Sequence, residues 1–137
     1  MTFTQKIFEL SAPYNNQYQG PDIRLLFVCS AGLLRSPTAA DVATRMGFNA
    51  RSCGSSSCAL IPLSVNLILW ADTVVFVEHS NYTEAVETFT PVGYHEDIIS
   101  KAAIWDLPDD YERNDSWLVA RIEDKMRDTF NIPQEQQ

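Results

Sequence analysis

Cys29 and Arg35 are the two ends of a Cys-x5-Arg run that continues into a serine: Cys29-Ser30-Ala31-Gly32-Leu33-Leu34-Arg35-Ser36. A thiolate is a strong nucleophile, a guanidinium is a planar fork that holds two oxygens of an anion, and a nearby hydroxyl can donate to sulfur. Gly32 supplies the positive φ that a loop wrapped around an anion needs somewhere along its length. These residue types suit attack of sulfur on the phosphorus of a bound phosphate. Cys29 is the expected nucleophile, and Arg35 tightens on the oxygens as charge builds in the transition state. The cradle is expected to run through Ser30, Ala31, Gly32, Leu33, Leu34, Arg35 and Ser36. The plainer alternative is a small buried cysteine at a strand end and an arginine on a helix surface.

The elements on either side of the loop favour the chemical reading. Leu25, Leu26, Phe27 and Val28 form a short continuous apolar run, as in a strand buried on both faces of a parallel sheet. Ser36-Pro37-Thr38 then offers a hydroxyl at a helix N-cap and a proline in the first turn. Ala39, Ala40, Val42, Ala43 and Met46 continue that helix and Gly47 ends it. In an open α/β sheet the carboxyl ends of strands face ligands, and a helix N-terminus there presents unpaired N–H groups and a partial positive charge. Both a phosphate and a cysteine thiolate are favoured in such a field.

The alternation continues along the chain. A strand over 50–53 leads into Gly54-Ser-Ser-Ser and a short helix over 64–70. Asp72 opens a β-branched strand through Val77, followed by a helix over 81–89. Pro91 and Gly93 mark a turn, 94–100 reads as weakly helical, and Ala102 to Ile104 form a short strand with Trp105 at its end. Leu118, Ile122, Met126 and Phe130 recur every fourth residue, the apolar stripe of a helix packed on a sheet. Alternating strands and helices predict a parallel α/β fold. The expected division is an N-terminal extension over 1–22, one domain over 23–132 and a tail over 133–137.

Composition restricts the partners. The chain of 137 residues is 45% hydrophobic, enough for one core, and its charges sum to 10 − 18 = −8. Such a field repels polyanions, so nucleic acid is not an expected partner. No apolar stretch reaches the roughly 18 residues of a membrane span, and the first residues lack the order of a secretory signal. A cytoplasmic protein without membrane contact, monomeric or weakly dimeric, is expected. Three cysteines is an odd number in such a chain, which argues for free thiols. His79 and His95 are isolated, and no metal-ligand spacing involves them.

Leu26-Phe27-Val28-Cys29-Ser30, Leu34-Arg35-Ser36-Pro37-Thr38-Ala39, Ala50-Arg51-Ser52, Trp70-Ala71-Asp72, Val77-Glu78 and Leu107-Pro108-Asp109-Asp110-Tyr111 together resemble the low-molecular-weight protein tyrosine phosphatases. The likeness is nearest to the branch of predicted protein tyrosine phosphatases and spans about residues 24–130. It implies a single-domain, four-stranded parallel sheet with helices on both faces, flavodoxin-like in its three layers. It also implies a phosphocysteine intermediate, an aspartate general acid, phosphorylated protein or small phosphomonoester substrates, and neither metal nor cofactor. The family's Asp-Pro acid loop aligns its aspartate with Asp109 and leaves Asp110 where a proline is common. At the second and third loop positions, where the family usually has Gly-Asn, this chain has Ala31-Gly32, so a hydrogen-bonding asparagine is absent.

A carboxylic acid is also required by the chemistry, since the leaving oxygen needs a proton and the same group can then activate water. Asp106, Asp109 and Asp110 crowd one loop, where mutual repulsion keeps a proton on at least one of them. Asp109 is the first choice, with Asp106 and Asp110 in reserve. Tyr111 and Trp105 bracket the loop and are candidate walls for a substrate ring, although buried aromatics are more often plain core. Leu33 and Leu34 give the cradle an apolar rim. Two rival readings stand beside the phosphatase. One is an arsenate reductase-like thiol enzyme using Cys53 and Cys58, against the simpler view that Cys53 ends a buried strand. The other is a non-catalytic phosphate-binding module.

Overall fold

The apolar runs become strands β1 (Arg24–Cys29), β2 (Asn49–Gly54), β3 (Thr73–Phe76) and β4 (Ala102–Ile104). In the computed structural model, which describes residues 23–32, 35–107 and 115–131, they form one parallel sheet in the order β2-β1-β3-β4. Among the described residues five helices connect and follow them: α1 (Arg35–Arg45), α2 (Val65–Trp70), α3 (His79–Phe89), α4 (His95–Lys101) and α5 (Ser116–Phe130).

Pleating sends successive residues of β1 to opposite faces, and both faces are covered. Leu25, Phe27 and Cys29 pack with Ala39, Val42 and Ala43 of α1 and Leu118, Ile122 and Met126 of α5. Leu26 and Val28 pack with Ile68 of α2, Ala85 and Phe89 of α3, and Ile98 of α4. Two buried faces explain why β1 is apolar throughout and not alternating. The expected three-layer architecture is therefore present.

Boundaries follow local bonding. α1 begins at Arg35, so Ser36 lies in the first turn and not at the cap; its hydroxyl bonds the Cys29 sulfur and the Cys53 carbonyl instead. Pro37 is tolerated there because first-turn N–H groups have no intrahelical partner. Gly47, at φ +96°, ends α1 as expected: its N–H donates to the Thr44 carbonyl (3.0 Å) and that of Phe48 to Ala43 (3.0 Å), a Schellman closure. α3 starts at His79, earlier than the apolar pattern suggested, since the Asp106 carboxylate accepts its first N–H at 3.3 Å. His95 opens α4, a short helix with one buried residue, Ile98, which is why its sequence signal is faint.

Because β2 lies on one side of β1 and β3 on the other, the chain turns opposite ways after the two strands. The crevice beyond the carboxyl ends of β1 and β3 is the switch point where such sheets take ligands. Among the described residues no helix is long and apolar enough to cross a membrane.

Ile122 is fully buried between α5 and the sheet. Ile122→Ala should lower unfolding stability by about 2–5 kcal/mol, read as a drop in urea midpoint at unchanged slope.

Candidate active site

Cys29 is the last residue of β1, paired in register with Gly54, the last residue of β2. Past the strand ends the two following loops remain stitched together. The N–H groups of Ser55, Ser56 and Leu60 donate to the carbonyls of Cys29 (2.7 Å), Ser30 (3.1 Å) and Ala31 (3.3 Å). Approach this close requires glycine at position 54, where a Cβ would fall 2.6 Å from the Ser30 carbonyl oxygen and 2.4 Å from the Ala59 Cβ. Gly32 takes φ +73° and turns the chain back toward the strand end.

That turn aims the Gly32 N–H at the Cys29 sulfur, 3.1 Å away. On its other side the sulfur lies 3.0 Å from the Ser36 hydroxyl, which itself reaches the Cys53 carbonyl at 3.2 Å. A hydroxyl has one proton. With a thiol, S–H donates to Ser36, which donates onward to Cys53; with a thiolate, Ser36 rotates its proton to sulfur. The sulfur thus has hydrogen-bond partners on both sides, the Gly32 N–H and the Ser36 hydroxyl in the first turn of α1.

Arg35 follows as the first residue of α1 and is 5% exposed. Its Nη1 donates to the Glu78 carboxylate and to the Leu107 carbonyl, the latter at 3.1 Å. The hydrogen bond from Arg35 holds the Glu78 carboxyl below the ordinary glutamate range, against the opposing effect of partial burial. Glu78 also accepts from the Ser80 hydroxyl at 3.2 Å. It sits just past β3, at the same carboxyl edge of the sheet as Cys29. Leu107 in turn donates its N–H to the Val77 carbonyl at 2.7 Å.

The structure brings Cys29, Ser30, Ala31, Gly32, Arg35 and Ser36 together as the sequence suggested. Leu33, Leu34, Asp109, Asp110 and Tyr111 lie outside the described residues. Trp105 does not join the site: it is buried in the core, its ring 5.5 Å from that of Phe27, and its indole N–H donates to Thr129 at 2.9 Å. Asp106, at φ +53°, uses its carboxylate on the first N–H of α3. Cys53 is buried at the end of β2, and loss of solvent, with the neighbouring Cys29, pushes its thiol well above the usual range. Cys58 is exposed, and all three thiols are free.

Three site residues had no role assigned from sequence. Glu78 carries the charge opposite Arg35. Asn81 of α3 donates through Nδ2 to the hydroxyls of Ser30 (3.0 Å) and Ser55 (3.2 Å). The position of Glu78 immediately after a β-branched strand was a usable signal, because strand carboxyl ends line the crevice; nothing local marks Asn81 or Ser55.

No protein-family model and no curated protein matches the sequence. Solved structures do match the fold. A low-molecular-weight protein tyrosine phosphatase from Streptococcus pyogenes aligns at TM-score 0.63 and 14% identity, covering 82% of this chain and 95% of that one. Vibrio vulnificus Wzb in complex with benzylphosphonate aligns at 0.58 and 15%, covering 79% and 96%. A cysteine-to-serine mutant of the YwlE arginine phosphatase with a phosphorylated active-site serine aligns at 0.52 and 18%, covering 77% and 90%. The chain therefore has the fold of the low-molecular-weight phosphatases.

Because its folded-state value is lowered, Glu78 stabilises the fold above its ordinary titration range, and that contribution fades as pH falls through the lowered value. Glu78→Gln should therefore reduce the urea midpoint at neutral pH, and the gap from the parent should narrow as the pH is taken down through the acidic range below the ordinary glutamate value.

Proposed function

We propose that the chain is a cysteine-dependent phosphomonoester hydrolase, most simply a protein tyrosine phosphatase. The observation that carries this reading is the Cys29 sulfur held between the Gly32 N–H and the Ser36 hydroxyl, at a strand end facing the start of α1, beside Arg35. A plain core cysteine has no use for two polar neighbours at the start of a helix whose first residue is a buried arginine. The fold shared with structures of tyrosine and arginine phosphatases supports the same class of chemistry.

In the first step the Cys29 thiolate attacks phosphorus while the bond from phosphorus to the leaving oxygen breaks. The loop N–H groups and the Arg35 fork follow the charge on the three remaining oxygens. The leaving oxygen takes a proton from Asp109, leaving phosphocysteine. In the second step the ionised Asp109 removes a proton from water, whose oxygen attacks phosphorus, and the P–S bond breaks to return the thiolate. Ser36 donates to that sulfur as it departs, and inorganic phosphate is released. A phosphorylated serine in a cysteine-to-serine mutant of YwlE is the analogous covalent adduct in that protein.

Two other carboxylates near the site suit the acid role less well. Glu78 is held ionised by Arg35, and Asp106 is turned onto the α3 N-terminus. Leu107, two residues before Asp109 in sequence, already bonds Arg35 through its carbonyl. The apolar residue types at Leu33 and Leu34 suit a substrate with an aromatic ring such as phosphotyrosine. Cys53 is a poor relay thiol for arsenate reduction, because burial keeps it protonated and out of reach of an external dithiol.

Cys29→Ser should abolish hydrolysis of an activated aryl phosphate and of phosphotyrosyl peptide. Retention of parental turnover would remove sulfur from the mechanism. Asp109→Asn should slow single-turnover cleavage of phosphotyrosyl peptide by about 10²–10⁴-fold and spare the activated ester more. Equal small losses at Asp106, Asp109 and Asp110 would place the acid elsewhere.

A further inference from the structure

Asn81 is the third residue of α3, the helix after β3, yet its side chain reaches back to the loops after β1 and β2. It is 2% exposed, and its amide nitrogen has two protons, one placed on Ser30 of the anion loop and one on Ser55 of the neighbouring loop. Its Oδ1 is buried with no hydrogen-bond partner among the described residues. An unpaired buried carbonyl is costly, and an apolar side chain of the same shape would avoid that cost. What the amide adds is the bridge. The next loop residues, Ala31 and Gly32, have no side chains able to brace anything.

The backbone bonds from Ser55, Ser56 and Leu60 tie the loop carbonyls but leave the peptide planes free to tilt about those carbonyls. Fixing the Ser30 side chain as well sets the φ of the residue whose peptide leads into Ala31 and Gly32, and so the aim of the N–H groups. We propose that Asn81 is a positioning residue for phosphoryl transfer: through Ser30, with Ser55 as its anchor, it holds the anion loop in the geometry that the transition state needs. This rests on the phosphatase reading of the Cys29 site. Amides already aimed at the equatorial oxygens act most strongly where charge develops, so the effect belongs to kcat more than to KM.

The test compares the parent with Asn81→Ala, Ser30→Ala, Ser55→Ala and the Asn81→Ala/Ser30→Ala double variant on an aryl phosphate. Asn81→Ala should lower kcat by about 10- to 100-fold with KM within about threefold. The double variant should be no slower than the slower single one, because the two residues act as a unit. Should Asn81→Ala not fold, Ser55→Ala should show the same kcat-specific loss. Unchanged kcat, a loss confined to KM, or losses that multiply in the double variant would overturn the proposal.

A second readout does not depend on turnover: the rate of Cys29 alkylation by iodoacetate relative to iodoacetamide, followed by mass spectrometry at that residue. Iodoacetate is anionic and senses the aim of the loop N–H groups, whereas iodoacetamide is neutral. The preference for iodoacetate should fall in Asn81→Ala, and an unchanged preference would overturn the proposal. If parent and Cys29→Ser hydrolyse the ester equally, the phosphatase reading fails and takes the catalytic part of the proposal with it, whereas a fall in the alkylation ratio alone would still show that Asn81 sets the aim of the loop.

Discussion

A guanidinium cannot be neutralised by losing a proton, so carrying one to a site that is 5% exposed obliges the fold to surround it with acceptors. Arg35 finds them in the Glu78 carboxylate and the Leu107 carbonyl. Those partners come from two separate places in the chain, the end of β3 and the segment leaving β4. Satisfying one charge therefore draws the carboxyl edges of the sheet and the start of the aspartate-rich segment around the same point.

The loop that faces this cation is held by its neighbours more than by itself. Three N–H groups from the segment after β2 bind its carbonyls, and Gly54 allows the two backbones to come together. With those carbonyls turned outward to their donors, the Gly32 N–H is left to meet the Cys29 sulfur. Gly32 completes the turn at positive φ. The sulfur also meets the first turn of α1 through the Ser36 hydroxyl, 3.0 Å away. In this sense the position of the Cys29 sulfur is set by packing of strands β1 and β2 as much as by any side chain near it.

Carboxylates around the crevice are sorted by what they touch. Glu78 is tied to a cation and stays ionised, and Asp106 occupies a left-handed backbone position and caps a neighbouring helix. Trp105, which by sequence position belonged with the acidic loop, instead turns inward against Phe27 and Thr129 and helps fix the segment from which that loop departs. Sequence proximity to chemistry and participation in it are therefore separate matters at this edge of the sheet.

The strand order of periodicities, the continuous apolar β1, the stripe of α5 and the spacing of Cys29, Gly32, Arg35 and Ser36 were all legible in the chain alone, because each is a local pattern whose physical meaning does not depend on distant residues. α4 was faint because one buried residue, Ile98, gives little periodicity. The start of α3 was misplaced for a different reason: Asp106 lies 27 residues from the N–H it accepts. Ser36 meets the Cys29 sulfur as its sequence position suggested but stands in the first turn of α1, and its second partner, the Cys53 carbonyl 17 residues away, was not legible. Glu78 and Asn81 acquire their functions only when β3 is laid beside β1, bringing Arg35 and Ser30 within hydrogen-bond reach. Local sequence determined which residues had the chemistry; long-range pairing of parallel strands, which no short window encodes, decided which of them meet.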